Sequence, residues 1–251
     1  MKRPIFLFIL VLFAGPLQAR ESAPDVLQIF QSANAAYQQG DFEKAINSYE
    51  SLIQKGVRES DVYYNLGNAY FKKDRLGQAI LNYERARRIR PRDPDINANL
   101  NYTKGLLEYR IEDKRNWYLK GAGYLLGAFT HRELGWVTLF LGLVFLSAWN
   151  YFLFFRSGSL WGWKRKTLLV LTAGFLSLWI MKGFYTETVR EAVVLKNKAP
   201  VRYGPSYKDQ VALRLGEGMK VRLKNKAGEW VRVVLPNRET GWMSVEEIGV
   251  I

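Results

Sequence analysis

Residues 45–50 read AINSYE and residues 79–84 read AILNYE. Ala45 maps onto Ala79, Ile46 onto Ile80, Tyr49 onto Tyr83, Glu50 onto Glu84 and Asn65-Leu66 onto Asn99-Leu100, every pair 34 residues apart. A fixed period of this length is the mark of stacked units, each of which buries its apolar face on the next. Within 60–92 apolar residues recur at intervals of three and four, as on one side of a helix. Val62, Leu66, Ala69 and Tyr70 form one stripe, Leu76, Ala79, Ile80, Tyr83 and Ala86 a second, and Lys73-Asp74 divides them. Ser60 is expected to cap the first helix and Pro91 to end the second. Asp93-Pro94 should open a further helix that continues through Ile96, Leu100, Leu107 and Ile111. Residues 26–112 therefore read as helices, and the repeating unit as helix–turn–helix.

On Leu66-Gly67, Tyr70, Ala79, Tyr83, Ala86 and Pro91, the second unit resembles the tetratricopeptide repeat family. Ala33, Ala36, Ala45, Tyr49 and Leu52 carry a looser likeness in the first. Small residues allow close helix crossing and the tyrosines fill the gaps. Three or more units normally close a continuous core. Two units and one spare helix, within 20–115, are expected to be completed by a partner, a dimer mate or the membrane. The resemblance implies a concave groove near Phe30, Asn34, Tyr37, Tyr64, Asn65, Asn68, Phe71, Lys72 and Tyr102. Asn34 and Asn65 stand where relatives that grip a terminal carboxylate have asparagine, but Phe30, Asp95 and Asn99 replace the cations of that clamp. The groove then suits a peptide or protein segment held by aromatics and amides. The alternative is that these aromatics only fill the core.

The remaining segments read as membrane elements and a second module. Residues 1–19 have a basic head, Lys2-Arg3, an apolar run from Ile5 to Ala14, a Gly15-Pro16 break and a small residue, Ala19. This is the pattern of a signal peptide. Cleaved after Ala19 or kept as an anchor, it sends the following residues to the outer side of a membrane. Residues 116–133 contain the aromatic run WYLKGAGYLLGAF, too short to span and suited to an interface. Thr130 and Glu133 form a capping box before Leu134–Phe155, a run of 22 residues without charge. Arg156, Lys164, Arg165 and Lys166 crowd the loop 156–166, and Thr167–Tyr185 is apolar again except for Lys182. Two spans joined by a basic loop form a hairpin whose loop faces the cytoplasm. The net charge of +14 fits this, because its densest part lies within 116–185.

Residues 190–251 switch to short alternating runs (VALRL, KVRL, WVRVVL) between Gly- and Pro-rich turns, the pattern of a small antiparallel β domain. The order VRYGPS, LGEGMKV, EWVRVVL, TGWM resembles bacterial SH3-like domains. Tyr203, Tyr207, Trp230 and Trp242 could line an aromatic groove there, or the tryptophans could belong to the core.

No catalytic set emerges. The one histidine, His131, lies in the turn before the first apolar run, where an interfacial structural role is expected, so no other histidine is left to serve as the base of a Ser/His/Asp triad, and without cysteine no thiolate metal site can form. LGEGMK at 215–220 precedes a strand rather than a helix, which makes it a hairpin turn and not a phosphate loop. Arg85, Arg87, Arg88, Arg90 and Arg92 crowd eight residues, either as a solvated face or as a contact for anionic lipid or an acidic partner.

The expected fold is multi-domain: an all-α tetratricopeptide array, an α-helical transmembrane hairpin and a small all-β SH3-like barrel. As a whole it resembles the BatE proteins of bacterial aerotolerance operons. That resemblance implies a non-catalytic inner-membrane scaffold, two-pass, with both soluble modules in the periplasm. It also implies assembly with von Willebrand A-domain membrane proteins and a MoxR-type ATPase. No cofactor, metal or nucleic acid is expected, and a homo-oligomer is compatible with the sequence. The alternative is a wall-associated protein whose SH3-like domain binds peptidoglycan.

Overall fold

The computed structural model describes residues 23–107, 117, 121, 123, 127–155, 160–188 and 190–251, with side chains in the two long helices described for 131–147, 166–167 and 170–183. The expected signal peptide lies outside these residues, as does most of the expected interfacial segment. Five helices come first: α1 (Ala23–Gln38), α2 (Phe42–Gln54), α3 (Ser60–Lys72), α4 (Leu76–Ile89) and α5 (Pro94–Gly105). They form two antiparallel pairs, α1–α2 and α3–α4, with α5 laid on the second pair. Asp41 caps α2 by accepting from the Lys44 N–H at 3.1 Å, and Asp93 caps α5 by accepting from Asp95 and Ile96. The pairs cross closely where the repeat places small residues. A Cβ added to Gly67 would stand 2.7 Å from the Tyr83 ring.

Two local expectations are corrected. Ser60 is not a cap: Glu59 holds that position without a side-chain hydrogen bond. Ser60 is instead the first helical residue, buried, and its hydroxyl donates to the Ala86 carbonyl at 3.2 Å, tying α3 to α4. Helix α5 stops at Gly105 and does not run through Leu107. Glycine is the poorest helix former after proline, and here it begins the exit. Leu107 leaves the helix to pack on the core, and Ile111 lies outside the described residues.

Helices α6 (His131–Phe155) and α7 (Leu160–Thr188) follow and pack on each other. The capping box at the start of α6 is formed: Glu133 N–H donates to Thr130 Oγ1 at 3.2 Å and Thr130 N–H donates to Glu133 Oε2 at 2.7 Å. Helix α7 begins at Leu160, so most of the expected loop 156–166 is helical. No proline interrupts LWGWKRK, and lysine and arginine are good helix formers. Among the described residues, no helix is long and apolar enough to cross a membrane.

The chain ends in seven strands: β1 (Glu191–Val194), β2 (Ala199–Arg202), β3 (Val211–Leu215), β4 (Lys220–Ala227), β5 (Trp230–Val234), β6 (Thr240–Ser244) and β7 (Ile248–Val250). All pairings are antiparallel, in the order β3-β2-β6-β5-β4-β1-β7. Ala192, Val194, Val201, Val221, Val231, Val233 and Met243 face inward as its core. Their alternation with polar neighbours is the period of two read from the sequence.

The β domain also completes the helical array. Val193, on the face of β1 opposite to that core, belongs to the buried core of the helices, with Leu195 and Ile251 packed beside it. The expectation that a partner, a second copy or the membrane finishes the array is therefore corrected, because α4 is covered from within the chain. The approach is close. A Cβ on Gly77 would lie 2.8 Å from the Val194 carbonyl oxygen, and one on Gly249 would collide with Leu81. Gly218 sits at φ +75°, where a side chain is strained, and 2.7 Å from Ile80 Cδ1 once a Cβ is added.

Candidate functional site: an open groove and a covered back

The inner faces of α1, α3 and α5 carry a hydrogen-bonded ladder with the period of the sequence. Tyr49 Oη donates to Asn34 Oδ1 at 2.6 Å, and Asn65 Nδ2 donates to the same oxygen at 3.1 Å. One repeat later, Tyr83 Oη donates to Asn68 Oδ1 at 2.7 Å and Asn99 Nδ2 donates to it at 3.0 Å. Each asparagine oxygen thus uses both lone pairs to join the second helix of its own unit to the first helix of the next. Burial pushes the Tyr49 hydroxyl up to about 12, with the neighbouring Tyr37 adding to the rise against a lowering hydrogen bond from Asn65. Tyr83 is raised in the same way, chiefly by burial. Both remain protonated donors at any physiological pH. Asn34, Asn65 and Asn68 therefore spend part of their capacity on the array itself.

What stays open is a cleft of about 400 Å3 lined by Asn34, Tyr37, Gln38, Tyr49, Asn65 and Asn68. Gln38 was missed by the sequence reading, although it stands one period before Lys72, which was chosen. Phe30 packs edge-on to Tyr49 at 6.1 Å, and Tyr64 lies 6.0 Å from Tyr83 and accepts from Asn99. These two fill the core side. Phe71 and Tyr102 pair at 5.9 Å farther along, and Tyr102 is 63% exposed. Lys72 is exposed at the end of α3. The groove is divided, with aromatic packing at its base and Tyr37, Gln38, Phe71, Lys72 and Tyr102 toward solvent. Its lining of amides and phenols offers donors and acceptors of the kind a peptide backbone uses.

The opposite face of α4 holds the β domain. Glu84 is 2% exposed and receives Lys104 Nζ at 2.6 Å, Arg87 Nη2 at 2.6 Å and Lys220 Nζ at 3.6 Å. Burial alone would raise its pKa, but Lys220, Lys104 and Arg87 outweigh it and hold the carboxyl down at about 2. Lys220 also pairs with Glu191 at 2.7 Å, so one ammonium joins both modules. Glu217 Oε2 accepts from the Gly77 N–H at 3.0 Å, at the start of α4 where a negative charge is favoured.

The arginine run belongs to this construction. Arg85 donates twice to the Val250 carbonyl, and Arg88 donates to the Ile251 carbonyl and lies 3.7 Å from Glu191. Arg87 pairs with Glu84, Arg90 grips Asp61 with two bonds, and Arg92 meets Glu133 at the start of α6. Arg88, Arg90 and Arg92 remain exposed, as a solvated face requires, but every member of the run also has a partner within the chain.

In the β domain, Tyr207 meets Trp230 edge-on at 4.8 Å. Trp230 is buried, yet Val231 and Val233 take the core side of β5, so it lies on the outer face beneath Tyr207. Trp242 is half-buried on the same face, and Tyr203 stands 72% exposed.

Comparison with known families agrees with this division. The tetratricopeptide repeat matches residues 30–94, and the bacterial SH3 domain matches residues 195–249. The chain carries both modules. A search of curated proteins found no significant match to it. The SH3 match begins at Leu195, immediately after the docked strand β1, and the tetratricopeptide match ends at the first residue of α5.

Proposed function

We propose that the protein is a non-catalytic, membrane-anchored scaffold that gathers partner proteins through the open groove of its repeats. The observation that carries this reading is the internal docking. The SH3 domain seals the back of α4 and leaves the concave side, with its cleft, facing solvent. Modules of these two kinds serve protein or peptidoglycan binding, and a sequence with one histidine and no cysteine offers neither a thiolate nucleophile nor a multi-histidine metal site.

Anchoring by α6 and α7 is supported by their surfaces. Trp136 is 70% exposed, and Leu139, Phe140, Leu143, Leu146, Val170, Leu171, Ile180 and Met181 are exposed as well. Apolar side chains displayed so broadly need lipid or protein around them. With the signal-like start and the basic segment 156–166, this favours two passes through a bacterial inner membrane and both modules in the periplasm. A Bat-type assembly with von Willebrand A-domain membrane proteins is the finer form of the proposal and rests on the sequence resemblance. Peptidoglycan binding by the SH3 domain is the alternative.

Crosslinked co-purification from native membranes tests the scaffold. A protein partner captured by the full chain, and lost when Tyr102 and Tyr37 are changed to alanine, is the expected result. Capture that ignores both substitutions, or retention on purified sacculi alone, would overturn it.

A further inference from the structure

The outer face of β2, β6 and β5 carries a row that no part of the docking uses. Backbone register sets Arg202 opposite Trp242, and Trp242 opposite Arg232. The three side chains share one face, because their neighbours Val201, Gly241, Met243, Val231 and Val233 point into the barrel or are buried on its inner side. Trp230, with Tyr207 set edge-on against it, lies on this face two residues along β5. Arg222 stands opposite Val234, farther along the same surface. These strands lie toward the β3 end of the sheet, whereas β1 and β7 meet α4.

The charges on the two sides are treated differently. The arginines of α4 and its exit are all partnered within the chain. Arg202, Arg222 and Arg232 have no salt bridge among the described residues, although Glu247 is close enough to feel the charge of Arg202 and Glu191 stands opposite Arg222 in register. Arg232 makes only a bond to Thr240 Oγ1 at 3.2 Å, and is exposed. Arg202 donates to the Asp209 carbonyl at 2.6 Å and lies 5.9 Å from the Tyr207 ring centre, while its Nε is buried without an acceptor. Guanidinium groups that carry no salt bridge on both sides of an indole are a surface for carboxylates flanking an apolar group.

We propose that this face docks an extended acidic segment of a partner protein, with carboxylates on Arg202 and Arg232 and an apolar side chain between them on Trp242. Two strand spacings separate the arginines by about 10 Å, which matches one turn of polyproline II chain, three residues at about 3.1 Å each, the interval that returns side chains to the same side. The occupant is thus a segment with acidic residues three apart. The proposal rests on the scaffold reading and adds a second docking surface to it.

The test uses the full chain in nanodiscs of uncharged lipid and a fluorescein-labelled peptide, Gly-Gly-Glu-Leu-Leu-Glu-Gly-Gly. Anisotropy should report binding that weakens with salt. It should fall at least tenfold when both glutamates of the peptide become glutamine, and at least tenfold in R232Q with an unchanged melting temperature. W242L should lose a similar factor, and R232K, which keeps charge but not the fork, should lie between. Absence of binding, equal affinity for the glutamine peptide, or an unaffected R232Q would overturn the proposal. So would a face that ignores the peptide but holds sacculi or anionic vesicles in an Arg232-dependent way. Partner capture through the groove, read with Tyr102→Ala in parallel, separates failure of this face from failure of the scaffold.

Discussion

Replacing Glu84 by glutamine tests how the two modules are held together. The carboxylate is nearly fully buried between Lys104, Arg87 and Lys220, and its pKa falls from 4.5 to about 2. At about 1.4 kcal/mol per unit, that shift corresponds to roughly 3 kcal/mol of stability at neutral pH. The folded-state pKa is depressed, so the contribution is complete above the unfolded value of 4.5 and disappears as pH falls toward about 2. E84Q keeps the shape and leaves three cations facing a neutral amide, a loss in the range of about 3–5 kcal/mol seen when one member of a buried pair is removed. Urea unfolding of the full chain in detergent, followed by circular dichroism between pH 2.5 and 7, measures it. The wild type should be more stable by roughly 3 kcal/mol at pH 7, and the gap should shrink below pH 4.5. A double-mutant cycle with Lys220→Met should show coupling, because that lysine belongs to the SH3 domain and the carboxylate to the repeats. A pH-independent gap, or one below about 1 kcal/mol, would refute the view that this carboxylate locks the interface.

Other outcomes follow from the same contacts. Gly249→Val drives a side chain into Leu81, and should destabilise the chain by about 1–3 kcal/mol in the same urea assay, with Leu81→Ala partly restoring it. Asn68→Ala strands the buried Tyr83 hydroxyl at a cost of about 1–3 kcal/mol, while Tyr83→Phe, which removes the donor, should cost less; equal losses would argue against the ladder. Alkaline phosphatase fused after Ile251 should be active in a bacterial periplasm, whereas a fusion within the basic segment 156–166 should be silent.

The repeat was legible because its period is written in local sequence. Alanines at 45 and 79, tyrosines at 49 and 83 and the Asp93-Pro94 cap act through neighbours three, four or 34 residues away. The β domain was legible for the same reason, since alternation at a period of two needs only one buried face. Groove residues were found in part. The family resemblance led to Asn34, Asn65 and Asn68, yet did not show that the oxygens of Asn34 and Asn68 are already engaged by Tyr49, Tyr83 and neighbouring amides. That engagement depends on how side chains from separate helices meet.

By itself the sequence determined the two modules, their order and the period of the array, because helix and strand patterns are short-range properties of the chain. Only the tertiary structure decided what finishes the array. Gly77, Gly218 and Gly249 look like ordinary turn or strand glycines in sequence, and Glu84 like a solvated helix residue. Their roles appear when segments more than a hundred residues apart come within van der Waals reach, and no local periodicity records such a meeting. The arginine run shows the same limit. Its charge was plain, but the carbonyls of Val250 and Ile251 that accept from Arg85 and Arg88 are brought there by the fold.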